Sequence, residues 1–542
     1  MKPLSIERSF FHWLAVIMVT LGCIAAKDQW GWLIEYPDAL IFPFSDWLNV
    51  IMDWMVKHFG WFFMGISWVL EWPIWAVQKI LNGLPWAVTM FLFCLVAFVA
   101  SGWRLAAFTL GATLYMVVIG YWEESMNSLS LVAISVPLAI FVGFSVGVWG
   151  FYSDRAERAI MPALDLFQTV PAFAYLLPIL LLFGFGTVVG LIASVLYSFP
   201  PMVRNTIIGL RSVAPEVIES GLMSGATPGQ LFWQVRVPSC RKQLLLGVNQ
   251  ATMASLSMVI IASIIGGTSD IGWEVLSTIR KAQFGESLLV GMVIALMAMI
   301  IDRITSGLAL RSNLYDPSGK TILQRNRIWG VAIIGAALLF GLAQVFNVLV
   351  DWPRDNVWSP GKSMNEGLTY LIVNYRPQIE ALKTSAFFFV MLPLKIGLQS
   401  AVSPFTWGFA LTAMHKAVYA LAMAAIALWC GLRGKTIAGI VVMLFAVFLY
   451  FGLTSIPWPC VILIYAFIGW KIGGRALGLG TALGLGFMVI TGNWAEAMLS
   501  VYLCGIAAII SFVFGTTIGI WAAHNDKVSA FVRPPVRPPW LP

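Results

Sequence analysis

An all-α, polytopic bundle of membrane-spanning helices is the fold class this sequence predicts. Three observations carry that expectation. Hydrophobic residues make up 59% of the 542 residues and charged residues only 11%, whereas a typical soluble domain carries about 25% charged residues. The mean hydropathy is +0.85. Apolar runs also recur at lengths near the roughly 20 residues that cross a bilayer as a helix. This composition excludes a soluble enzyme, a disordered chain and a nucleic-acid-binding protein. In so apolar a chain the net charge of +8 and the pI near 9.2 mark cytoplasmic loops rather than a nucleic-acid partner.

The elements follow in order. Candidate spans lie near 10–27, 85–101, 104–120, 129–152, 166–184, 187–203, 244–266 and 287–308, then near 328–350, 416–432, 436–453, 457–471, 474–491 and 501–522. That is about 14 spans. Basic residues cluster at Arg104, Arg155/Arg158, Arg204 to Lys242, Arg303 to Arg327, Arg433/Lys435, Lys471/Arg475 and Lys527. One alternating path puts all of them in the cytoplasm, with Lys2 and Arg8 and the N-terminus inside. On that path residues 28–84 begin and end outside. The stretch 54–82, interrupted by Lys57, His58, Glu71 and Lys79 and rich in Trp, is then expected as helices lying in the outer interface. The same parity makes 386–402, within an outer 351–415, interfacial or re-entrant.

Chemistry-bearing constellations are sparse. Cys23, Cys94, Cys240, Cys430, Cys460 and Cys504 have no CxxC spacing and read as small buried hydrophobes. His12, His58, His415 and His524 are isolated, so no metal site is expected. A phosphate-cradling loop needs GxxxxGK[ST]. The string ending Gly434-Lys435-Thr436 has Trp429 where the first glycine belongs, so any ATP must be bound by another chain.

The chain contains an internal repeat. At a constant offset of 372, residues 85–154 align without gaps on 457–526. Pro85-Trp86 falls on Pro457-Trp458, Gly102 on Gly474, and Trp122, Glu124, Met126 and Ser128 on Trp494, Glu496, Met498 and Ser500. Gly143, Gly147, Trp149 and Asp154 fall on Gly515, Gly519, Trp521 and Asp526. Apolar composition alone does not align Gly, Trp and Glu together, so a duplication is expected. The first copy continues through PALDLFQTVPAFAYLLP, while the second reads FVRPPVRPPWLP. Such proline density cannot make a membrane helix. The tail is either polyproline-like or the sign of a shortened two-copy protein, and the second reading is favoured. The resulting division is 1–84, an N-terminal span with interfacial helices; 85–315, a complete domain with a polar loop at 204–242; 316–456, a second N-terminal region; and 457–542, a partial repeat.

The loop 204–242 carries the most specific pattern. Pro215 can open a helix, Glu216 and Glu219 suit its first turns, and Gly225 can end it. Thr227-Pro228 fits an N-cap followed by proline at the first helical position. A helix-turn-helix along the cytoplasmic face is predicted. Here the sequence resembles the permease subunits of ATP-binding cassette (ABC) importers, whose signature is E-A-A, three residues, G, nine residues, I-x-L-P. Glu219-Ser220-Gly221 stands for E-A-A, Gly225 for the glycine, and Val235-Arg236-Val237-Pro238 for I-x-L-P. Gly221 in place of alanine weakens a helix by about 1 kcal/mol. The stretches LDLFQTVPAFAYLLP (164–178), GVNQATMASLSMVIIASIIGG (247–267), GWEVLSTI (272–279) and IIDRITSGLA (300–309) narrow the resemblance to glycine betaine/proline/choline permeases. It covers roughly 85–310 strongly.

The resemblance implies a type I ABC importer permease fold in a bacterial inner membrane. The implied partners are an ABC ATPase subunit that holds ATP and magnesium, a periplasmic or lipid-anchored substrate-binding protein, a second permease copy in a homodimer or related pair, and membrane lipid. It also implies a coupling role for Glu219, Ser220, Gly221, Gly225, Val235, Val237 and Pro238; for Glu219 the alternative is a solvated helix charge. Polar residues in apolar helices often mark pathways. Asn249, Gln250, Met253 and Ser257 open the span after the loop, and Gln250, Met253 and Ser257 share one helical face. Gln168, with Phe173, forms a second candidate patch, suited to a quaternary ammonium solute through cation–π attraction. Small polar residues also serve helix packing, which is the alternative for each. Other function classes are a secondary transporter or channel, a membrane enzyme, and a non-functional truncated permease.

Overall fold

Helix boundaries fall where glycines and prolines place them. The computed structural model of the protein describes residues 36–266, 270–311, 322–350, 360–386, 413–432 and 457–532, with residues 29–33 and scattered single positions. Every extended regular element among these residues is helical. Helix α1 is Phe44–Gly83 and α2 is Trp86–Ser101, opened by Pro85 and closed by Gly102 at φ 86°. α3 (Trp103–Ile119) ends at Gly120, again at φ 86°. There follow α4 (Trp122–Tyr152), α5 (Asp154–Thr169), α6 (Ala172–Phe183), α7 (Thr187–Arg211) and α8 (Pro215–Met223). α9 is assembled from Pro228–Gln230, a π-helical Leu231–Arg236 and Val237–Ser239. α10 is Arg241–Gly266, α11 Ile271–Arg280, α12 Phe284–Arg311 and α13 Ile322–Val345. Further on lie α14 (Gly361–Asn374), α15 (Arg376–Ala386), α16 (Ala413–Leu432), α17 (Trp458–Ile490), α18 (Trp494–His524) and α19 (Asp526–Val532).

By length and composition five of these helices can cross a membrane, or seven if each of two bent pairs counts as one, among the described residues. α17 is counted once although Gly474, at φ 78°, breaks it where the sequence separates 457–471 from 474–491. The span expected at 166–184 is not one straight helix. α5 and α6 meet at 97°, because Val170-Pro171 is extended and proline disfavours a helical conformation in the residue before it. The stretch 54–82, expected as interfacial helices, is part of one helix, α1, of 40 residues, about 60 Å long at the α-helical rise. The spans expected at 10–27 (single positions aside) and 436–453 (apart from residue 439), the run 387–402, Gly434-Lys435-Thr436 and the proline-rich 533–542 lie outside the described residues.

The backbone repeats at the sequence offset. Pro85 (φ −51°, ψ 134°) and Pro457 (φ −52°, ψ 132°) open matching helices. Gly102 and Gly474 share φ near 80° with ψ near 180° (86°/−168° and 78°/−170°), a conformation open to glycine alone. Ser153 (φ −137°, ψ 109°) and Asn525 (φ −139°, ψ 110°) both cap the next helix with a side-chain oxygen: Ser153 Oγ accepts from Ala156 N at 3.3 Å and Asn525 Oδ1 from Lys527 N at 3.0 Å.

Two compact units result, Val50–Tyr370 and Met1–Asn49 with Leu371–Pro535. Each joins one copy of the repeat to the segment that precedes the other copy. In the first unit Trp86 Nε1 donates to Val348 O at 2.8 Å and its ring meets Trp352 edge-on at 5.8 Å. In the second, Trp458 Nε1 donates to Trp32 O at 3.0 Å, with Tyr36 edge-on at 5.8 Å. Both accepting carbonyls sit in 3₁₀ turns, Asn347–Leu349 and Gly31–Leu33. An indole N–H in an apolar setting needs a partner, and a turn with a free carbonyl supplies one.

The first unit is centred on α7, packed between α4 and α10. A Cβ at Gly143 would fall 2.7 Å from Met202 Cβ, one at Gly147 would fall 2.6 Å from Thr206 Cβ, and one at Gly247 would fall 2.8 Å from Asn205 Cβ. Glycine here lets helix backbones touch, which is how membrane helices gain packing without a hydrophobic drive. Ser135 and Ser255 hydroxyls, 2.6 Å apart, join α4 to α10 in the same seam. The end of α1 is tied to α4, where Gln78 Nε2 and Asn82 Nδ2 both donate to buried Asn127 Oδ1 at 2.7 and 2.8 Å.

Among the described residues, the aligned glycines of the second copy, Gly515 and Gly519, have nothing within 4 Å of a Cβ. Gly147→Ala is therefore expected to lower stability by about 1–3 kcal/mol through overpacking. Gly519→Ala is expected to be neutral or to gain up to about 1 kcal/mol of helix propensity. Thermal unfolding of the two variants in detergent checks this, and equal losses at both sites would contradict the seam.

Candidate functional site

The segment between α7 and α10 is built from two short helices folded against each other. α8 begins with Pro215 at its first position and ends in a two-bond glycine cap. Ala226 N donates to Gly221 O at 3.2 Å and Gly225 N to Leu222 O at 2.9 Å, with Gly225 left-handed at φ 75°. This is the Schellman arrangement, which requires glycine at that step. α9 then starts with a reciprocal capping box: Gln230 N donates to Thr227 Oγ1 at 3.4 Å, and Thr227 N to Gln230 Oε1 at 2.9 Å. The sequence signals for both ends are thus met.

Gly221 faces α9. A Cβ there would lie 2.9 Å from Leu231 Cδ1 and 3.2 Å from Val235 Cγ2. The small residue at this position brings the helices together, which offsets its poor helix propensity. Between them is a concavity of about 780 Å³, lined by Ser220, Gly221, Gly225 and Val235 of the predicted set and also by Glu216 and Gln234. The remaining predicted residues lie elsewhere. Glu219 is exposed and has no ion-pair partner among the described residues. Val237 packs below, on a buried group formed by Leu210, Val213, Phe232 and Cys240. Pro238 is exposed in the first turn of Val237–Ser239. Burial pushes the Cys240 thiol up, and its Sγ donates to Val237 O, so it behaves as a small apolar residue.

Sequence reasoning missed what seats this segment. The π-helical turn swings Phe232 under α8 and leaves Trp233 outside. Their rings are 5.0 Å apart, with Phe144 6.0 Å from Trp233 and Tyr152 5.9 Å from Phe232. The Arg236 guanidinium stands 5.2 Å from the Phe151 ring centre. Arg211, at the entry, donates from Nη1 to Glu157 Oε1 at 2.8 Å and makes a second bond to the same carboxylate through Nη2, fixing α7 to α5. Apolar side chains are left on the outer surface, including Leu222, Trp233 and Met223, the last 91% exposed.

The pathway candidates divide. Asn249 accepts from Thr305 Oγ1 at 2.8 Å and serves the packing of α10 on α12. Gln250 and Ser257 are exposed and Met253 half-buried, so the predicted face of α10 is open. Gln250 is held by an amide ladder: Gln243 Nε2 donates to Asn205 Oδ1 at 2.7 Å, and Asn205 Nδ2 to Gln250 Oε1 at 2.9 Å. Asn205, a buried amide in an apolar run, was detectable by the rule that picked out Gln250. Gln168 and Phe173 are exposed on either side of the α5–α6 bend, and no hydrogen bond joins them to the α10 face among the described residues.

Comparison with known proteins shows what the chain is similar to. A family described as the inner membrane component of binding-protein-dependent transport systems matches residues 135–314. The trimethylamine N-oxide transport system permease of Ruegeria pomeroyi is 26% identical over 533 residues, 95% of this chain and 72% of its own. The glycine betaine/proline betaine permease of Escherichia coli K12 is 36% identical over 49% of this chain and 75% of its own. The glycine betaine permease of Bacillus subtilis is 35% identical over 50% of this chain and 95% of its own.

Replacing Gly225 by valine forces a β-branched residue into the left-handed region, at about 1–2 kcal/mol. The Gly225 and Ala226 amides, protected by the cap, are expected to exchange hydrogen faster by roughly ten-fold per 1.4 kcal/mol, while core amides of α7 keep their rates. Unchanged exchange at Ala226 would contradict the cap.

Proposed function

The chain belongs to the inner-membrane permeases of binding-protein-dependent transport systems, in the group that includes the glycine betaine/proline betaine permeases, and on that premise we propose how it works and what it carries. It is a multi-pass membrane protein and the permease component of an ABC importer, not itself an enzyme. The solute is a small quaternary ammonium or zwitterionic compound of the betaine, choline, proline or trimethylamine N-oxide class. ATP and magnesium are bound and used by a separate ATPase subunit. The N-terminus and the segment 204–242 face the cytoplasm.

The observation that carries this reading is the α8–α9 concavity with its exposed apolar rim. Ser220, Gly221 and Gly225 leave backbone accessible, so a partner can approach closely. Leu222, Met223 and Trp233 present apolar anchors to it, and the free carboxylate of Glu219 offers a charge to a basic or amide group. Beneath, the Phe232 group connects this surface to α4, α7 and α10. Closure of two ATPases moves such a segment as a rigid unit and tilts those helices. Two ATPases require two docking segments, and the segment 204–242 supplies one of them. A periplasmic or lipid-anchored binding protein delivers the solute.

Inside the membrane, the open face with Gln250, Met253 and Ser257 lines the route. Gln168 and Phe173 stand at the bend of α5 and α6, where an aromatic face favours a trimethylammonium group by about 0.5–2 kcal/mol. So weak an attraction suits a pore that must release its cargo, with selection left to the binding protein.

In proteoliposomes holding the permease, its ATPase and the binding protein, Glu219→Lys is expected to reduce ATP-driven glycine betaine uptake at least ten-fold without changing the amount of inserted permease. Uptake that survives this change, or that proceeds without ATPase, would overturn the assignment.

A further inference from the structure

Helix α1 carries a pattern that transport does not use. Trp47, Trp54, Trp61, Trp68 and Trp75 recur every seven residues. All are more than half exposed, with Trp61 at 76% and Trp68 at 73%. On an α-helix such a repeat drifts about 20° per heptad, so these indoles form a line that turns slowly about the helix, with Pro73 inside it between Trp68 and Trp75.

The rest of α1 sorts around that line. The bundle side is fixed by contacts: Ser67 Oγ donates to Phe183 O at 3.1 Å, Phe63 meets Phe183 edge-on at 5.2 Å, Ile74 is in the core, and Gln78 reaches Asn127. At about 100° per residue, Asp53, Lys57 and Glu71 lie roughly 60–100° to one side of Ile74. Ile51, Phe62, Val69 and Ile80, all exposed, lie roughly 120–140° to the other side. The charged and aliphatic sectors are therefore nearly opposite, and Trp54 to Trp75 fall between them, at roughly 100–160°. Lys79 Nζ sits 4.7 Å from the Trp75 ring, at the same boundary.

This is the section of a helix half-sunk in a bilayer, with indoles at the headgroup level where their apolar body and N–H are both satisfied. The orientation agrees. α1 meets α2 at 106°, so a membrane-crossing α2 lays α1 nearly along the membrane plane. We propose that the tryptophan line of α1 is a lipid-binding surface. It seats the helix at the headgroup–acyl boundary of the bilayer leaflet it lies on, aliphatic sector toward the chains and carboxylates toward water. The occupant is the phospholipid surface, and the segregation of charge from aliphatic area around the helix is what selects it over a protein. Because Asn127 ties α1 to α4, the same surface fixes the height of the bundle in the membrane.

The test uses the full chain with its six native cysteines replaced by alanine, in vesicles of phosphatidylethanolamine and phosphatidylglycerol. Nitroxide labels are placed singly at Glu71, Trp61, Trp68 and Val69. The expected result is a Val69 label relaxed by oxygen and shielded from a nickel chelate, a Glu71 label with the reverse response, and labels at Trp61 and Trp68 between them. Nickel access at all four positions would overturn the proposal by placing α1 in water. Exclusion of both reagents from Trp61 and Trp68 would overturn it in favour of a protein cover. As a check free of labelling, Val69→Lys is expected to reduce membrane-inserted protein several-fold while Met64→Lys, in the charged sector, leaves it unchanged. Equal effects of the two would count against the sectors.

Discussion

The close approach of α7 to its two neighbours is the contact on which the rest of the first unit depends. Gly143 and Gly147 on one side and Gly247 on the other remove the side chains that would hold the backbones apart. Because lipid is as apolar as leucine, burial alone does not pull these helices together, and direct packing has to do so. The consequence reaches the membrane edge. Only with α4, α7 and α10 in register do Phe144 and Phe151 of α4, Leu210 of α7 and Leu244 of α10 converge under Phe232. The α8–α9 surface proposed for docking is thus a product of the seam, although no seam glycine lies in it.

Much of that surface was legible because it is made by local backbone rules. A helix that must turn sharply after Met223 needs a left-handed residue, and Gly225 announces it. Thr227, Pro228 and Gln230 announce the next start. Such signals act over a few residues, so a single sequence carries them complete. The bend at Val170-Pro171 was written in the same language, but the apolar run on either side hid it, because hydropathy alone reads 166–184 as one span. What was not legible depends on distant partners. The π-helical turn exists because Phe232 fits between aromatic rings of α4, and nothing within 231–236 specifies those rings. Asn249 and Gln250 look alike in sequence; the first is spent on Thr305 and the second faces an open surface because of what stands opposite each.

The two copies of the repeat separate intrinsic from borrowed structure. The left-handed glycines, the proline openings and the caps at Ser153 and Asn525 recur at the same offset with dihedrals a few degrees apart. They are properties of the segment itself. The glycine face is not: in α4 it is filled by α7, and in α18 it meets nothing within 4 Å among the described residues. The same motif is therefore a close-packing site in one copy and only a low-propensity stretch of helix in the other. Likewise Trp86 and Trp458 keep the demand for a carbonyl, but each is met by a different turn, Asn347–Leu349 in one unit and Gly31–Leu33 in the other.

A docking surface moves a transport route only if the two share a rigid connection, and the amide ladder supplies one. Gln243 stands one turn above the end of the docking segment, Asn205 is buried in α7, and Gln250 lies on the open face of α10. Gln243 and Gln250 are seven residues, about two turns, apart on one face of α10, so they reach the same amide of α7 from either side. Sliding α10 along α7 by even one residue breaks both bonds and leaves buried Asn205 with only its Nδ2 bond to Pro201 O, 2.7 Å away on its own helix, so its Oδ1 loses its partner at about 1–3 kcal/mol. Tilting the two helices together breaks neither. The ladder therefore favours motion of α7 and α10 as a pair over motion of one past the other. A force applied at the Phe232 group then reorients Gln250 and Ser257 together. In the proposed route these polar residues hold two helices in step, and their contact with solute can stay weak.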